Sequence, residues 1–175
     1  MKLEEYQSTA LLTAQEEAFD HAYLIPGIVG ETGELFGHRA KGHWHGWDED
    51  RLRTAKVGEY GDIAWMTAIL LHTQGVAELR KGGHHLREVP PITVWGTLPD
   101  PWHLLLQKAN NLYHLYSQQP THCYIQGEAI QLWLLLERHC ETITGARWTE
   151  VLQYNLDKLA SRAERGVLRG AGDLR

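Results

Sequence analysis

Apolar residues recur at every third or fourth position along most of this chain, and this spacing is its strongest constraint on the fold. Such spacing places side chains on one face of an α-helix, whereas a half-buried strand needs strict alternation. The first segment has it at Leu3, Tyr6, Ala10, Ala14 and Ala18. Segments 101–118 and 124–143 are rich in Leu, Tyr and Trp and are too long for strands. The sequence therefore predicts an all-α protein.

Helix-capping residues and breaks in the pattern divide the chain into six expected helices. Pro26 suits the first turn of the second helix, because its missing N–H would be unpaired there. Asp48 or Asp50 can cap the third helix, after a loop GHWHGWDED. The expected helices cover residues 3–21, 26–40, 49–73, 101–118, 124–143 and 148–164. Glycines and most of the prolines predict a long irregular connection over 82–101, and residues 166–175 are expected to form a terminal loop.

Length and composition favour one soluble domain over residues 1–175. No apolar run approaches the roughly 18 residues that cross a bilayer, and the N-terminus lacks a signal-peptide core, so a cytoplasmic protein is expected. The net charge of -5 argues against binding a nucleic-acid polymer, which requires clustered Lys and Arg. The two cysteines, Cys123 and Cys140, lack metal-ligand spacing and are expected to be reduced thiols.

Two acid pairs lie in apolar, glycine-rich surroundings that are unusual for solvated charges. Glu31 and Glu34 occur in GIVGETGEL, and Glu59 and Asp62 in VGEYGDIAWM. Residues three apart share a helix face, so four carboxylates on two helices could converge. Acids placed together would repel unless a cation joined them, and oxygen ligands favour Mg²⁺ or Mn²⁺. The alternative is that these acids are solvated or pair with the nearby cations Arg39, Lys41, Arg53 and Lys56.

A basic stripe near the C-terminus is the second informative pattern. In NLDKLASR, Asn155, Lys158 and Arg162 fall at steps of three and four, opposite the apolar face of the same helix. Arginine can contact phosphate through two N–H groups and lysine acts as a point charge. The stripe therefore suits phosphate recognition, and the alternative is an ordinary exposed basic face.

These segments resemble the MazG-like, all-α NTP pyrophosphatase superfamily, whose metal signature is ExxE followed by ExxD. GIVGETGEL resembles the family's GLxGExGEL, KGHWHG resembles its lysine-then-HG loop, and EYGDIAWM resembles ELGDVLWY. NLDKLASRAERGVLRGAGDLR is similar to the ending of many phage and bacterial members. The similarity covers roughly residues 3–74 and 148–175, and the combination is much more specific than ExxE alone.

The resemblance implies an antiparallel helical bundle with a MazG-like four-helix core, formed by the first, second, third and sixth helices. Residues 76–147 would then be a helical insert that either extends the core or forms a subunit interface. Members usually form homodimers or homotetramers. The implied activity is Mg²⁺-dependent hydrolysis, with Mn²⁺ possible, of a nucleoside triphosphate or related nucleotide to the monophosphate and pyrophosphate.

The resemblance also implies the site residues. The metal ligands would be Glu31, Glu34, Glu59 and Asp62. Glu31 and Glu34 would be catalytic, and the substrate would be bound by Lys41, Asn155, Lys158 and Arg162. Gly30 and Gly58 depart from the family, because many members carry another Glu at these places. This departure favours an alternative function, a nucleotide-binding or partner-binding protein that retains the metal site but has little or no catalytic activity.

Histidine and tryptophan patterns indicate other sites less strongly. His43/His45 and His84/His85 could suggest a transition metal, but no Glu has a His three residues later, as a di-iron bundle requires. Trp44, Trp47 and Trp65 could stack on a nucleobase, although an aromatic residue at helical spacing, such as Trp65, more often belongs to the core.

Overall fold

The computed structural model describes residues 1–79, 100–118 and 122–167. Within these ranges the protein is an all-α bundle without strands, which confirms the predicted fold class. Its helices are α1 Leu3–Ala10, α2 His21–His45, α3 Glu49–Thr73, α4 Pro101–Ser117, α5 His122–Thr144 and α6 Trp148–Glu164. None of these helices is both long and apolar enough to cross a membrane. Residues 82–99 of the predicted connection and 168–175 of the terminal loop lie outside the described residues.

The first helix is shorter than its apolar spacing predicts. α1 ends at Ala10, and two 3-10 turns follow at Leu11–Thr13 and Glu16–Phe19. The Thr13 hydroxyl donates to the Ala10 carbonyl at 3.1 Å, an alternative to continued helix that threonine offers. Beyond Ala10 the stripe provides only alanines, which bury little apolar surface against neighbouring helices. The prediction of one helix to residue 21 is therefore wrong.

α2 extends beyond its predicted bounds at both ends. Asp20 caps it by accepting a hydrogen bond from the Ala22 N–H at 2.8 Å, so Pro26 lies in the second turn and not in the first. At the other end the helix continues to His45 and stops at Gly46, whose φ of 59° suits glycine. The predicted loop 42–50 is therefore reduced to residues 46–48. Asp48 caps α3 as predicted, accepting from the Arg51 N–H at 2.8 Å.

α2 and α3 form an antiparallel pair in close contact. His21 Nε2, at the start of α2, lies 3.0 Å from Thr73 Oγ1 at the end of α3. A Cβ on Gly27 would lie 2.6 Å from the Met66 sulfur, so the absence of a side chain permits this approach. The pairing places the middle of α2 opposite the middle of α3, which are the two segments that carry the acid pairs.

Helices α4 and α5, which the sequence predicted as an insert, pack into the core. Trp133 of α5 is 2% exposed and its ring packs against Tyr6 and Trp148, with ring centroids 5.8 and 5.1 Å away. The Tyr60 hydroxyl of α3 donates to the Leu136 carbonyl of α5 at 2.9 Å. The sequence left open whether this insert extends the core or forms a subunit interface, and these contacts favour the first.

α6 runs in the same direction as α3. Arg53, in the first turns of α3, lies 3.9 Å from Glu150 at the start of α6. Further along both helices, Asp62 contacts Lys158 at 2.6 Å. α6 thus begins beside the N-terminal turns of α3, so this helix pair is parallel whereas α2 and α3 are antiparallel. The consequence is that Asn155 and Lys158 face the acid segment of α3.

Candidate metal centre

Three of the four predicted acids converge between α2 and α3. One carboxylate oxygen from each of Glu31, Glu59 and Asp62 lies within 4.8 Å of the others. Glu31 comes from the middle of α2, and Glu59 and Asp62 share one face of α3 because they are three residues apart. Oxygen ligands at this separation could hold a small divalent cation.

Burial and the neighbouring charges of this cluster raise the pKa of Glu31 to about 8. Burial is the largest cause, followed by the Asp62 charge, a hydrogen bond with Glu59, and the charges of Glu59 and Glu34. The pKa of Asp62 is also raised by burial, although the adjacent Lys158 opposes the shift. Without a cation, the cluster therefore favours binding a proton at Glu31.

α6 supplies the donors that hold Asp62. Asn155 Nδ2 donates to Asp62 Oδ1 at 2.8 Å, and Lys158 Nζ donates to Asp62 Oδ2 at 2.6 Å. Arg162, one turn beyond Lys158, lines the cavity beside the cluster, and its charge, like that of Lys158, opposes the burial that raises the pKa of Asp62. The predicted stripe of Asn155, Lys158 and Arg162 therefore faces the acids. The side chain of Asn155 is completely buried, so it contacts the protein interior and not an open surface.

Glu34 and Lys41 lie further from the centre. Glu34 is exposed and is not among the three clustered acids, but its charge reaches Glu31. Residues three apart are offset by about 60° around the helix axis; Glu59 and Asp62 both stay near Glu31 despite this offset, whereas on α2 it leaves Glu34 exposed at the rim. Lys41 Nζ lies 5.6 Å from the centre of the Trp47 ring and does not line the cavity beside the acids. Their roles as ligand and substrate contact stay predictions.

His38 is a residue of the site that sequence reasoning missed. It is buried, and its Nε2 lies 2.7 Å from Glu59 Oε1, while its ring packs 5.6 Å from that of Trp47. Its Nδ1 is buried without a hydrogen-bond partner in the described part of the chain. His38 follows Glu31 by two helical turns, so its position on the same face was the available signal.

A cavity of about 320 Å³ opens beside the cluster. Its polar lining includes Glu31, Asp62 and Arg162, and Trp65, Met66 and Leu159 form an apolar wall. The 3-10 turns after α1 close another side, through Thr13, Gln15, Glu17 and Ala18. Tyr23 also lines the cavity, and burial together with the charges of Glu31 and Asp62 raises its pKa.

The tryptophans and histidines that the sequence indicated as other possible sites differ in where the structure places them. Trp65 is 8% exposed and belongs to the core as predicted, yet it also lines the cavity. Trp44 is 79% exposed. Trp47 instead contacts Arg51, whose guanidinium lies 4.0 Å from the centre of the Trp47 ring. Among the described residues, no histidine belongs to the possible metal cluster, and the pair 84–85 lies outside those residues.

The alternative is that the acids pair with nearby cations such as Arg39 and Arg53, whereas the described ion pair of Asp62 is with Lys158 of α6. Arg39 instead lies 3.9 Å from Asp100, and Arg53 lies 3.9 Å from Glu150. Glu31 and Glu59 lie close together, and among the described ion pairs the partner of Glu59 is His38, at 2.7 Å. Cys140 is a free, buried thiol as expected.

Comparison of the chain with protein-family models, curated proteins and solved structures gave no match. The fold and the site thus define an all-helical protein with a possible acidic metal centre.

Proposed function

We propose that the protein is a Mg²⁺-dependent nucleoside triphosphate pyrophosphohydrolase. The observation that carries this proposal is the convergence of Glu31, Glu59 and Asp62 between two helices, with the cations of α6 directly beside them. The products would be the nucleoside monophosphate and pyrophosphate, and the substrate a (d)NTP or a related nucleotide. The resemblance of the acid motifs to the MazG-like superfamily supports the same reaction.

The donor set fits a hard divalent cation. Three carboxylates supply oxygen ligands only, which suits Mg²⁺ or Mn²⁺ better than softer metals. Burial first, and the charges of Asp62, Glu59 and Glu34 after it, raise the pKa of Glu31 to about 8, and a bound cation would offset those charges. When bound, the cation would coordinate phosphate oxygens, offset developing charge and lower the pKa of a bound water.

The chain's own residues would position the substrate around this centre. Arg162 lines the cavity and can contact phosphate oxygens through two N–H groups. Lys158 contributes a second positive charge at Asp62, from which its flexible stem can reach a phosphate. The apolar wall formed by Trp65, Met66 and Leu159 would accommodate the base or sugar. Most of the catalytic contribution would then come from positioning and electrostatics.

Glu34 would act on the attacking water. It is an exposed carboxylate outside the three-residue cluster, yet close enough for its charge to raise the pKa of Glu31. A carboxylate in that place can orient a water and accept its proton. Glu31 would contribute to catalysis by helping to hold the cation.

Two observations favour the alternative of a nucleotide-binding or partner-binding protein without turnover. A Cβ on Gly30 or Gly58 would meet nothing within 4 Å, so the chain has open space where many MazG-like members carry a further carboxylate. Both Asp62 oxygens are also engaged by donors from α6. Such a protein would bind a nucleotide and the cation but release no product.

Pyrophosphate release measured across dNTPs and NTPs, with Mg²⁺ or Mn²⁺, tests the proposal. We expect Asp62→Asn or Glu34→Gln to lower turnover by about 100-fold or more, since loss of a residue that only hydrogen-bonds to a metal ligand already costs about 10- to 100-fold. Asp157→Asn is the matched control, because it removes one exposed α6 carboxylate beside Lys158. Unchanged turnover in Asp62→Asn would refute the assignment. Thermal stabilisation by nucleotide without product would favour the alternative.

The proposal includes a cytoplasmic homodimer or homotetramer. Light scattering of the purified chain during gel filtration measures the assembly directly, and a monomer at all concentrations would contradict this part of the proposal. No binding to a nucleic-acid polymer is expected from the net charge of -5.

A further inference from the structure

Tyr6 and Asn155 form a buried hydrogen-bonded chain that ends on Asp62. Both side chains have no exposed surface. The Tyr6 hydroxyl donates to Asn155 Oδ1 at 2.8 Å, and Asn155 Nδ2 donates to Asp62 Oδ1 at 2.8 Å. The two residues are separated by 149 positions in the chain, so the contact joins α1, α6 and α3.

The direction of this chain follows from the chemistry of its members. An ionised carboxylate can only accept hydrogen bonds, so the Asn155 amide must present its NH₂ group to Asp62. The amide oxygen then faces Tyr6, whose hydroxyl can donate to it. Burial, and to a lesser extent the Asp62 charge, raises the pKa of Tyr6, which keeps this donor protonated. Reversing the amide would place its oxygen against a carboxylate.

The backbone at Gly61 allows Asn155 to reach this position. A Cβ on Gly61 would lie 2.9 Å from Asn155 Cβ and 3.2 Å from Asn155 Nδ2, distances that require a shift. Gly61 directly precedes Asp62. By permitting the close approach of α6, Gly61 also permits the hydrogen bond from Asn155 to Asp62.

We propose that Tyr6 and Asn155 are positioning residues that hold Asp62 in the orientation that binds the divalent cation; this inference rests on the proposed function. Asn155 fixes one oxygen of Asp62 and Lys158 fixes the other, so the carboxylate cannot rotate freely. Each oxygen keeps a further lone pair that is available to a cation. Asn155 acts on the acid and does not contact the substrate, and α1, which lies outside both acid motifs, helps to set the cation affinity.

The test is calorimetric titration of the metal-free, full-length protein with Mn²⁺ alone. Tyr6→Phe removes the hydroxyl and keeps the ring beside Trp133. We expect its Kd for Mn²⁺ to rise by about 10-fold or more, the usual effect of losing a partner of a metal ligand. In turnover assays kcat should fall at low Mn²⁺ and recover at high Mn²⁺, while the KM for nucleotide stays within about 2-fold, as expected when substrate binding is untouched.

Tyr60→Phe is the matched control. Tyr60 is also fully buried and its hydroxyl donates to the Leu136 carbonyl at 2.9 Å, away from the acids. The same change there should leave the Kd for Mn²⁺ unaltered. Equal weakening in both variants would overturn the inference, because it would indicate general destabilisation. Unchanged affinity in Tyr6→Phe would also overturn it.

Asn155→Ala is the second variant, and it keeps the inference testable if Tyr6→Phe does not fold. If the chain acts as a unit, Asn155→Ala and the double variant with Tyr6→Phe should bind Mn²⁺ equally weakly, and unchanged Mn²⁺ affinity in Asn155→Ala would overturn the inference. If the wild-type protein binds Mn²⁺ without releasing pyrophosphate, the proposed reaction is refuted. The Kd values of the variants for Mn²⁺ still test this inference in that case. Absence of Mn²⁺ binding by the wild-type protein would overturn both.

Discussion

At the scale of single residues, the acid cluster is electrostatically unfavourable without a cation. Glu31 is partly buried beside Glu59 and Asp62, and its pKa rises to about 8 from 4.5. A carboxyl group with a raised pKa binds its proton more tightly in the folded than in the unfolded state. Stability therefore falls as pH rises from about 4.5 to 8, since the folded state must give up this proton.

Glu31→Gln should remove this pH dependence. A pKa unit corresponds to about 1.4 kcal/mol, and solvent screening reduces the effective value, so we expect a gain of about 2 kcal/mol in the free energy of unfolding at pH 9. The gain should be absent at pH 4, where the wild-type carboxyl is already protonated. Thermal unfolding in EDTA from pH 4 to 9 measures it, with Asp157→Asn as control. Greater stability combined with weaker Mn²⁺ binding would identify Glu31 as a residue kept for function; a parallel pH profile would contradict this.

At the scale of helices, glycine has two different roles within α3. Gly58 has open space around its missing side chain, whereas a Cβ on Gly61 would lie 2.9 Å from Asn155. Helix propensity alone would favour alanine at both positions. The contact with α6 reverses that preference at Gly61.

Gly58→Ala and Gly61→Ala should therefore change stability in opposite directions. We expect Gly58→Ala to stabilise the protein by about 0.5–1 kcal/mol, and Gly61→Ala to destabilise it by about 1–3 kcal/mol through overpacking. Urea unfolding of the two variants gives both values. Stabilisation by both substitutions would show that α6 does not approach α3 as closely as described.

The ends of the helices depended on contacts beyond the local sequence. The caps Asp20 and Asp48 follow the usual chemistry, and only Asp48 was predicted. The early end of α1 was not predicted, because equally spaced alanines do not indicate how much apolar surface a neighbour will cover. This end is relevant to the site, since the turns that follow α1 close one side of the cavity.

At the scale of the whole molecule, α4 and α5 share one hydrophobic interior with α1, α2, α3 and α6. Trp133 of α5 contacts Tyr6 of α1 and Trp148 of α6, so α5 supports the same helices that hold Asp62. The helix α5, predicted as part of an insert, therefore belongs to the structure that positions the candidate metal centre.

Trp133→Ala should destabilise the entire protein. Truncation of a buried tryptophan costs about 3–5 kcal/mol, and we expect one cooperative transition in which all helices unfold together. Tyr124→Ala in the same helix is the control, because Tyr124 is 62% exposed and surface changes usually stay within about 0.5 kcal/mol. Circular dichroism melts compare the two. Separate melting of α4 and α5 would show that the insert is an independent unit.

The sequence by itself determined the helical class, the bounds of α3 and α6, and the acids that could form a site, because these follow from local periodicity and residue chemistry. It also indicated that the stripe of Asn155, Lys158 and Arg162 was relevant. Only the tertiary structure decided that Glu31, Glu59 and Asp62 meet while Glu34 lies at the rim, and that Asn155 is buried between Tyr6 and Asp62. Spacing along one helix fixes which side chains share a face, but the distance and direction of packing between helices fix which of them come into contact.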